Sequence, residues 1–266
     1  MIRVHDSITK LDDSDRNAVV IAASHGGLYS GYCAAKAGVR GVIFNDAGIG
    51  LDCAGIGSLA YLDELDIPAA TVDYRSARIG DGADLMARGI VSFCNAAAER
   101  LGCAAGQAAR ECAGRMQAAT PAQRSAPPYA EARTLLLQRP HRPNVWGLDS
   151  NSLVRADDAG SIVVTGSHGG ILGGKPETAL RIDALAAVYN DAGVGIDDAG
   201  ISRLPALEAR GIAAITVDAQ SARIGDARST WESGRISHAN ALATAYGARA
   251  GMPVPTFVDW VFRAVG

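Results

Sequence analysis

Ser24-His25-Gly26-Gly27 and Ser167-His168-Gly169-Gly170 place the same four residues at two points of one chain. An imidazole at such a point can serve as a general base, a metal ligand or a hydrogen-bond donor to substrate. The glycines let backbone N–H groups approach an anion closely, and a helix starting there favours negative charge. His25 and His168 are therefore candidate catalytic residues. Ser24, Gly26, Gly27, Ser167, Gly169 and Gly170 are candidate substrate contacts, with the glycine N–H groups as oxyanion donors. The competing reading is a tight turn with a structural histidine. Neighbours on a strand point to opposite faces, so each serine is not the catalytic partner of its histidine.

Two further motifs recur. Asn45-Asp46-Ala47-Gly48 returns as Asn190-Asp191-Ala192-Gly193. A carboxylate at that point can orient a histidine, a water or a metal, or can simply cap the next turn. Ser76-Ala77-Arg78-Ile79-Gly80-Asp81 returns intact as Ser221 to Asp226. The guanidinium forks of Arg78 and Arg223 suit a carboxylate or phosphate; alternatively Asp81 and Asp226 pair with them and lock the loop. Asp52 and Asp197 read as caps of the following helix. Gly169 to Lys175 fits G-x-x-x-x-G-K, but Pro176 stands where a magnesium-binding hydroxyl belongs. Gly48, Gly50 and Gly55 have the wrong spacing and the wrong strand for a dinucleotide fingerprint. The repeats also differ: His238 stands against Phe93, and Ala219-Gln220 against Tyr74-Arg75. His238 is a further catalytic candidate, expected near a helix start beside His168.

The elements that must position these residues come from the repeat itself. The matches keep an offset near 145 residues, far longer than a solenoid period, which predicts domain duplication. The first copy is read over residues 1–103 and the second over 144–250. A helical and Pro-rich linker is expected over 104–143, and a tail that can dock as a short helix over 251–266. In each copy, short β-branched runs stop at the motifs: 18–22, 42–44 and 68–72 in the first, and 162–165, 187–189 and 213–217 in the second. Helices are expected over 28–37, 54–64 and 92–101, the last capped by Ser92, and over 237–246. Strand–helix alternation with continuous apolar strands predicts two tandem Rossmann-like α/β repeats with parallel sheets and pseudo-two-fold duplication. Every motif falls just past a strand's C-terminal end, where open α/β sheets bind ligands.

Composition narrows the class. Apolar residues make up 48% and net charge is −3, which fits a globular α/β protein and leaves no basic footprint for nucleic acid. No apolar run approaches a membrane span, and the charged first fifteen residues do not read as a signal peptide, so a cytoplasmic location is expected. The five cysteines form no C-x-x-C and all lie in the first half, which argues for incidental thiols. A strand ending in His-Gly followed by one ending in Asp-Ala resembles the caspase–gingipain fold. Those peptidases place a cysteine next, where Gly48 and Gly193 stand here, so their activity does not carry over. Two pseudo-symmetric α/β halves are also similar to aspartate/glutamate racemases, but no matched cysteine pair is present. The expectation is a small-molecule enzyme, preferably a hydrolase of an amide or cyclic amide bearing an anionic group, with its pocket between the copies. A racemase, isomerase or lyase with one base per half is one alternative, and a non-catalytic small-anion sensor another. No organic cofactor is implied. A divalent metal and a homo-oligomer both stay open.

Overall fold

The computed structural model describes residues 1–121 and 126–266 and contains two mixed, largely parallel sheets flanked by helices. The first sheet runs in sequence order: β1 (Ile2–His5), β2 (Val19–His25), β3 (Gly41–Asn45), β4 (Ala69–Val72) and β5 (Val91–Cys94). The first four strands are parallel and β5 is antiparallel to β4. The second sheet holds β6 (Arg133–Leu137), β7 (Val145–Leu148), β8 (Ile162–His168), β9 (Ala186–Asn190), β10 (Ala213–Val217) and β11 (Ile236–Ala239). Here β7 to β10 are parallel and both edge strands are antiparallel.

Both faces of each sheet are covered, as continuous apolar strands require. Alternate residues of β2 divide between two cores. Val19, Ile21 and Ala23 meet Leu85 of α3 (Gly82–Arg88) and Cys112, Ala113 and Met116 of α5 (Ala109–Met116). Val20 and Ala22 meet Ala34 of α1 (Leu28–Ala37) and Leu59 and Leu62 of α2 (Ser58–Glu64). In the second sheet Ile162 and Val164 pack under Phe257, Val258 and Val261 of α9 (Val254–Ala264). Val163 and Tyr189 pack under Leu204 and Leu207 of α6 (Arg203–Glu208). Pro205 lies in the first turn of α6, where its missing N–H costs nothing. The remaining helices, α4 (Ala96–Glu99), α7 (Ala227–Glu232) and α8 (Ala241–Ala245), are short.

Several expectations change. Ser92 and Ser237 start no helix; they lie in β5 and β11, and the helices begin after Asn95 and Asn240. Each asparagine accepts from the N–H three residues on and from the strand beside it, Ala69 or Ala214, which fixes the cap to the sheet. The Ala-rich run after each cap made the preceding strand read as helix. The segment 104–143 joins both cores: α5 packs on the first sheet and β6 pairs with β7 of the second. Its residues 122–125 lie outside the described residues. The tail does form a docked helix, α9. Between β8 and β9 no α-helix answers α1; residues 169–185 run as a loop with one 3-10 turn, Pro176–Thr178. Among the described residues no helix is long and apolar enough to cross a membrane.

Candidate functional site

Strands β2 and β8 each end in Ser-His, and both ends are pinned in the same way. The Ser24 hydroxyl accepts from the Ile8 N–H at 2.9 Å, and the Ser167 hydroxyl from the Asn151 N–H at 2.8 Å. Each histidine then turns its ring back on the glycine pair. His25 Nδ1 accepts from the Gly27 N–H at 3.1 Å, and His168 Nδ1 from the Gly170 N–H at 3.2 Å. The other glycines, Gly26 and Gly169, donate to the carbonyls of Asn45 and Asn190. Glycine is required by close approach: a Cβ on Gly26 would stand 2.7 Å from the Gly55 carbonyl, and one on Gly169 2.4 Å from the Gly200 carbonyl. The N–H groups of Gly26, Gly27, Gly169 and Gly170 are thus committed to the protein, those of Gly27 and Gly170 setting the histidine rings.

This geometry fixes the chemistry of the rings. A neutral imidazole that accepts at Nδ1 carries its hydrogen on Nε2. Burial favours that neutral form. It lowers His25 from the ordinary value of 6.5 to about 4. His168 is held well below 6.5 by burial first, and then by the positive charge of Arg203 and the proximity of His25. Both rings therefore present Nε2–H as a donor and have no free basic nitrogen.

The two rings come from different sheets and line one cavity of about 300 Å³. Each sits against a glycine of the other half: the His25 ring is 3.3 Å from where a Gly225 Cβ would be, and the His168 ring 3.6 Å from where a Gly80 Cβ would be. Ser24 and Ser167 line the same cavity, with Tyr29, Glu131 and Arg203. The Glu131 carboxyl accepts from the Tyr29 and Ser150 hydroxyls, yet burial and the nearby Asp149 raise it from 4.5 to about 7. Arg203 is 2% exposed. Its Nε donates to the His168 carbonyl at 3.2 Å, and its Nη1 to the Thr178 carbonyl at 2.8 Å and to that of Ala179.

The other candidates lie elsewhere. Asp46 and Asp191 are buried turn caps: Asp46 accepts from the Gly48 and Tyr74 N–H groups, and Asp191 from those of Gly193 and Ala219. Burial raises both carboxyls above the ordinary aspartate range. Neither lines the cavity nor reaches a histidine. Arg78 and Arg223 are not in the cavity either; they cross between the halves. Arg78 bonds Asp197 at 2.9 Å and Arg223 bonds Asp52 at 3.0 Å, while Arg223 also pairs with its neighbour Asp226. Asp52 and Asp197, expected as helix caps, are the acceptors of those bridges. His238 is exposed on the edge strand β11, opposite Thr216 of β10, and away from His168.

Glu131, Arg203 and Tyr29 were not among the sequence candidates. Arg203 carried a signal: it follows the repeated Ala-Gly-Ile and replaces Ser58 of the first half, as Leu172 replaces Tyr29. Glu131 lies in the segment without a repeat partner and carried none. Among the described residues no group of three or more His, Cys, Asp or Glu side chains is gathered where it could hold a metal ion. In comparison with known proteins, no family model, no curated protein and no solved structure matches the chain.

Proposed function

We propose that two copies of one Rossmann-like α/β unit enclose the cavity of an enzyme that hydrolyses a small amide or cyclic amide bearing an anionic group. The duplication is supported by contacts that pair off across the halves. The Leu51 N–H donates to the Ala219 carbonyl at 2.8 Å, and the Ile196 N–H to the Tyr74 carbonyl at 3.1 Å. Arg78–Asp197 and Arg223–Asp52 pair off likewise. At the same offset, α5 answers α9, which extends each unit beyond the boundaries expected from the motifs.

The observation that carries the enzyme reading is the cavity's lining: one neutral Nε2–H imidazole from each sheet, beside a carboxyl poised at about 7. Such donors stabilise an oxyanion better than they abstract a proton. Glu131 ionises near neutrality and is the general base. In the reading, His25 Nε2–H polarises the substrate carbonyl. Glu131 takes a proton from water as the water oxygen bonds to the carbonyl carbon. It then returns the proton to the amide nitrogen as the C–N bond breaks, leaving a carboxylic acid and an amine. A two-base racemase draws less support, because neither histidine has a basic nitrogen free.

The test is turnover of a panel of linear amides and lactams, with and without a carboxylate. The expected result is that Glu131→Gln and His25→Asn, folded by circular dichroism, each lose about 100-fold or more in kcat. Wild-type kcat/KM should rise with pH through about 7, because Glu131 must ionise to act. Unchanged turnover in both variants, or tight binding with no turnover of any panel member, removes the hydrolase.

A further inference from the structure

We propose that Arg203 forms a carboxylate subsite at the His168 end of the cavity, so that the molecule taken there is a compact carbonyl compound ending in a single carboxylate. The inference rests on the enzyme reading for the chemistry at the other end, not for the binding itself.

Arg203 is a buried cation without a counter-ion. Three of its five N–H groups are spent on the carbonyls of His168, Thr178 and Ala179. Its remaining side-chain contact is with Tyr189, whose ring lies 4.9 Å from the guanidinium carbon. No carboxylate pairs with it among the described residues. The partly buried Arg133, by contrast, holds Asp158 through both Nη atoms at 2.9 and 2.5 Å. A buried charge without an ionic partner is costly, and this one lies in the wall of the cavity. Beside it, His168 is kept neutral by burial and by the same guanidinium, and offers Nε2–H. A carboxylate would receive both donors and neutralise the charge.

The first half has no equivalent. Ser58 occupies the matching place: its N–H donates to the Gly26 carbonyl at 2.9 Å, as that of Arg203 donates to Gly169 at 2.8 Å. Helix α1 packs so closely there that a Cβ on Gly31 would be 2.8 Å from the Ser58 Cβ. No larger residue fits. In the second half the loop 169–185 replaces that helix and brings the carbonyls that seat a guanidinium. Arg203 is the buried cation of the cavity wall, Lys10 and Arg181 being exposed, and it orients the occupant: carboxylate at Arg203 and His168, reacting carbonyl toward His25 and Glu131. A single buried cation matches a monoanion, and Glu131 and Glu177 on the same walls disfavour a phosphate dianion.

The probes are 2-pyrrolidone and 2-pyrrolidone-5-carboxylate, which differ by the carboxylate alone, titrated calorimetrically into the full chain. The carboxylate is expected to bind at least tenfold more tightly than the neutral lactam. Arg203→Met should abolish that difference and Arg203→Lys should retain part of it. Because Arg203 also staples the loop, its variants can fail to fold. The wild type then decides by NMR: acetate and succinate should shift the His168 ring signals at concentrations that leave those of His25 in place. Equal affinity for the two lactams, a preference that survives Arg203→Met, His25 responding first, or inorganic phosphate binding more tightly than acetate would each overturn the subsite. Carboxylate binding without turnover leaves the subsite standing and removes the enzyme. Turnover of lactams with no carboxylate preference does the reverse.

Discussion

At the scale of single residues, the decisive feature is where each imidazole spends its lone pair. Nδ1 of His25 and of His168 receives a backbone N–H, so protonating either ring forfeits that bond and places a charge in a buried site. Burial is the main cause that lowers both pKa values, and linkage makes this visible in stability. Between about pH 4 and 6.5 the unfolded chain holds a proton on His25 that the folded chain does not. The contribution of His25 is therefore fully present above 6.5 and is lost as pH falls toward 4. The slope it adds is at most about 1.4 kcal/mol per pH unit for each proton. His168 acts with the same sign. Glu131 acts oppositely: its folded pKa is raised, so its contribution is present below 4.5 and is lost as pH rises through about 7. Urea unfolding from pH 4 to 8 should show His25→Asn flattening the rise with pH, and Glu131→Gln steepening it. Identical slopes in all three proteins would mean that the rings and the carboxyl are not buried as described.

At the scale of elements, the turns after β3 and β9 carry the joint between the halves. Gly48 and Gly193 have φ of +72° and +75°, and a Cβ on Gly48 would stand 3.0 Å from the Gly193 Cα. A Cβ on Gly193 would stand 2.8 Å from the Tyr74 ring. Gly211 has a similar φ of +70° with nothing near it. Gly211→Ala should thus cost only the left-handed strain of about 1–2 kcal/mol. Gly193→Ala should cost about 1–3 kcal/mol more through overpacking. Equal losses in denaturant titrations of the two variants would sever the turn from the joint. The same elements mark how far the sequence could be read. The parallel strands and α1 were legible because β-branched runs stop at glycine-rich turns, and the motifs did point to the strand ends that meet. The partners were not. Arg78 has Asp81 and Asp84 close in sequence, and nothing local selects Asp197 across the joint. Asp46 looks like a reactive carboxylate because a strand-end aspartate reads the same whether it faces a cavity or two backbone N–H groups. Glu131 depends on the path of a segment whose prolines say only that it is irregular.

For the whole molecule, the question is whether the two halves unfold as one. Each sheet has its own pair of cores, and between them lies a small apolar cluster of Ala47, Ile79, Ala192, Ala199 and Ile224. That cluster alone is modest. The crossing backbone bonds of Leu51 and Ile196 add to it, and so do the crossing ion pairs, which as exposed bridges contribute little. The cavity also couples the halves, because its wall is built from both sheets and losing one sheet removes part of the other's covering. One cooperative transition is therefore expected. Leu62 and Leu207 are fully buried, in opposite halves and at matching places. Leu62→Ala and Leu207→Ala should each cost about 2–5 kcal/mol, and calorimetry should show each variant shifting the same single peak. A ligand bridging Arg203 and His25 would raise that peak without splitting it, since it binds only when both halves are folded. Two peaks, with only one moved by each substitution, would show halves that fold independently. The cavity would then be a docking surface between two stable units rather than part of the fold that holds them together.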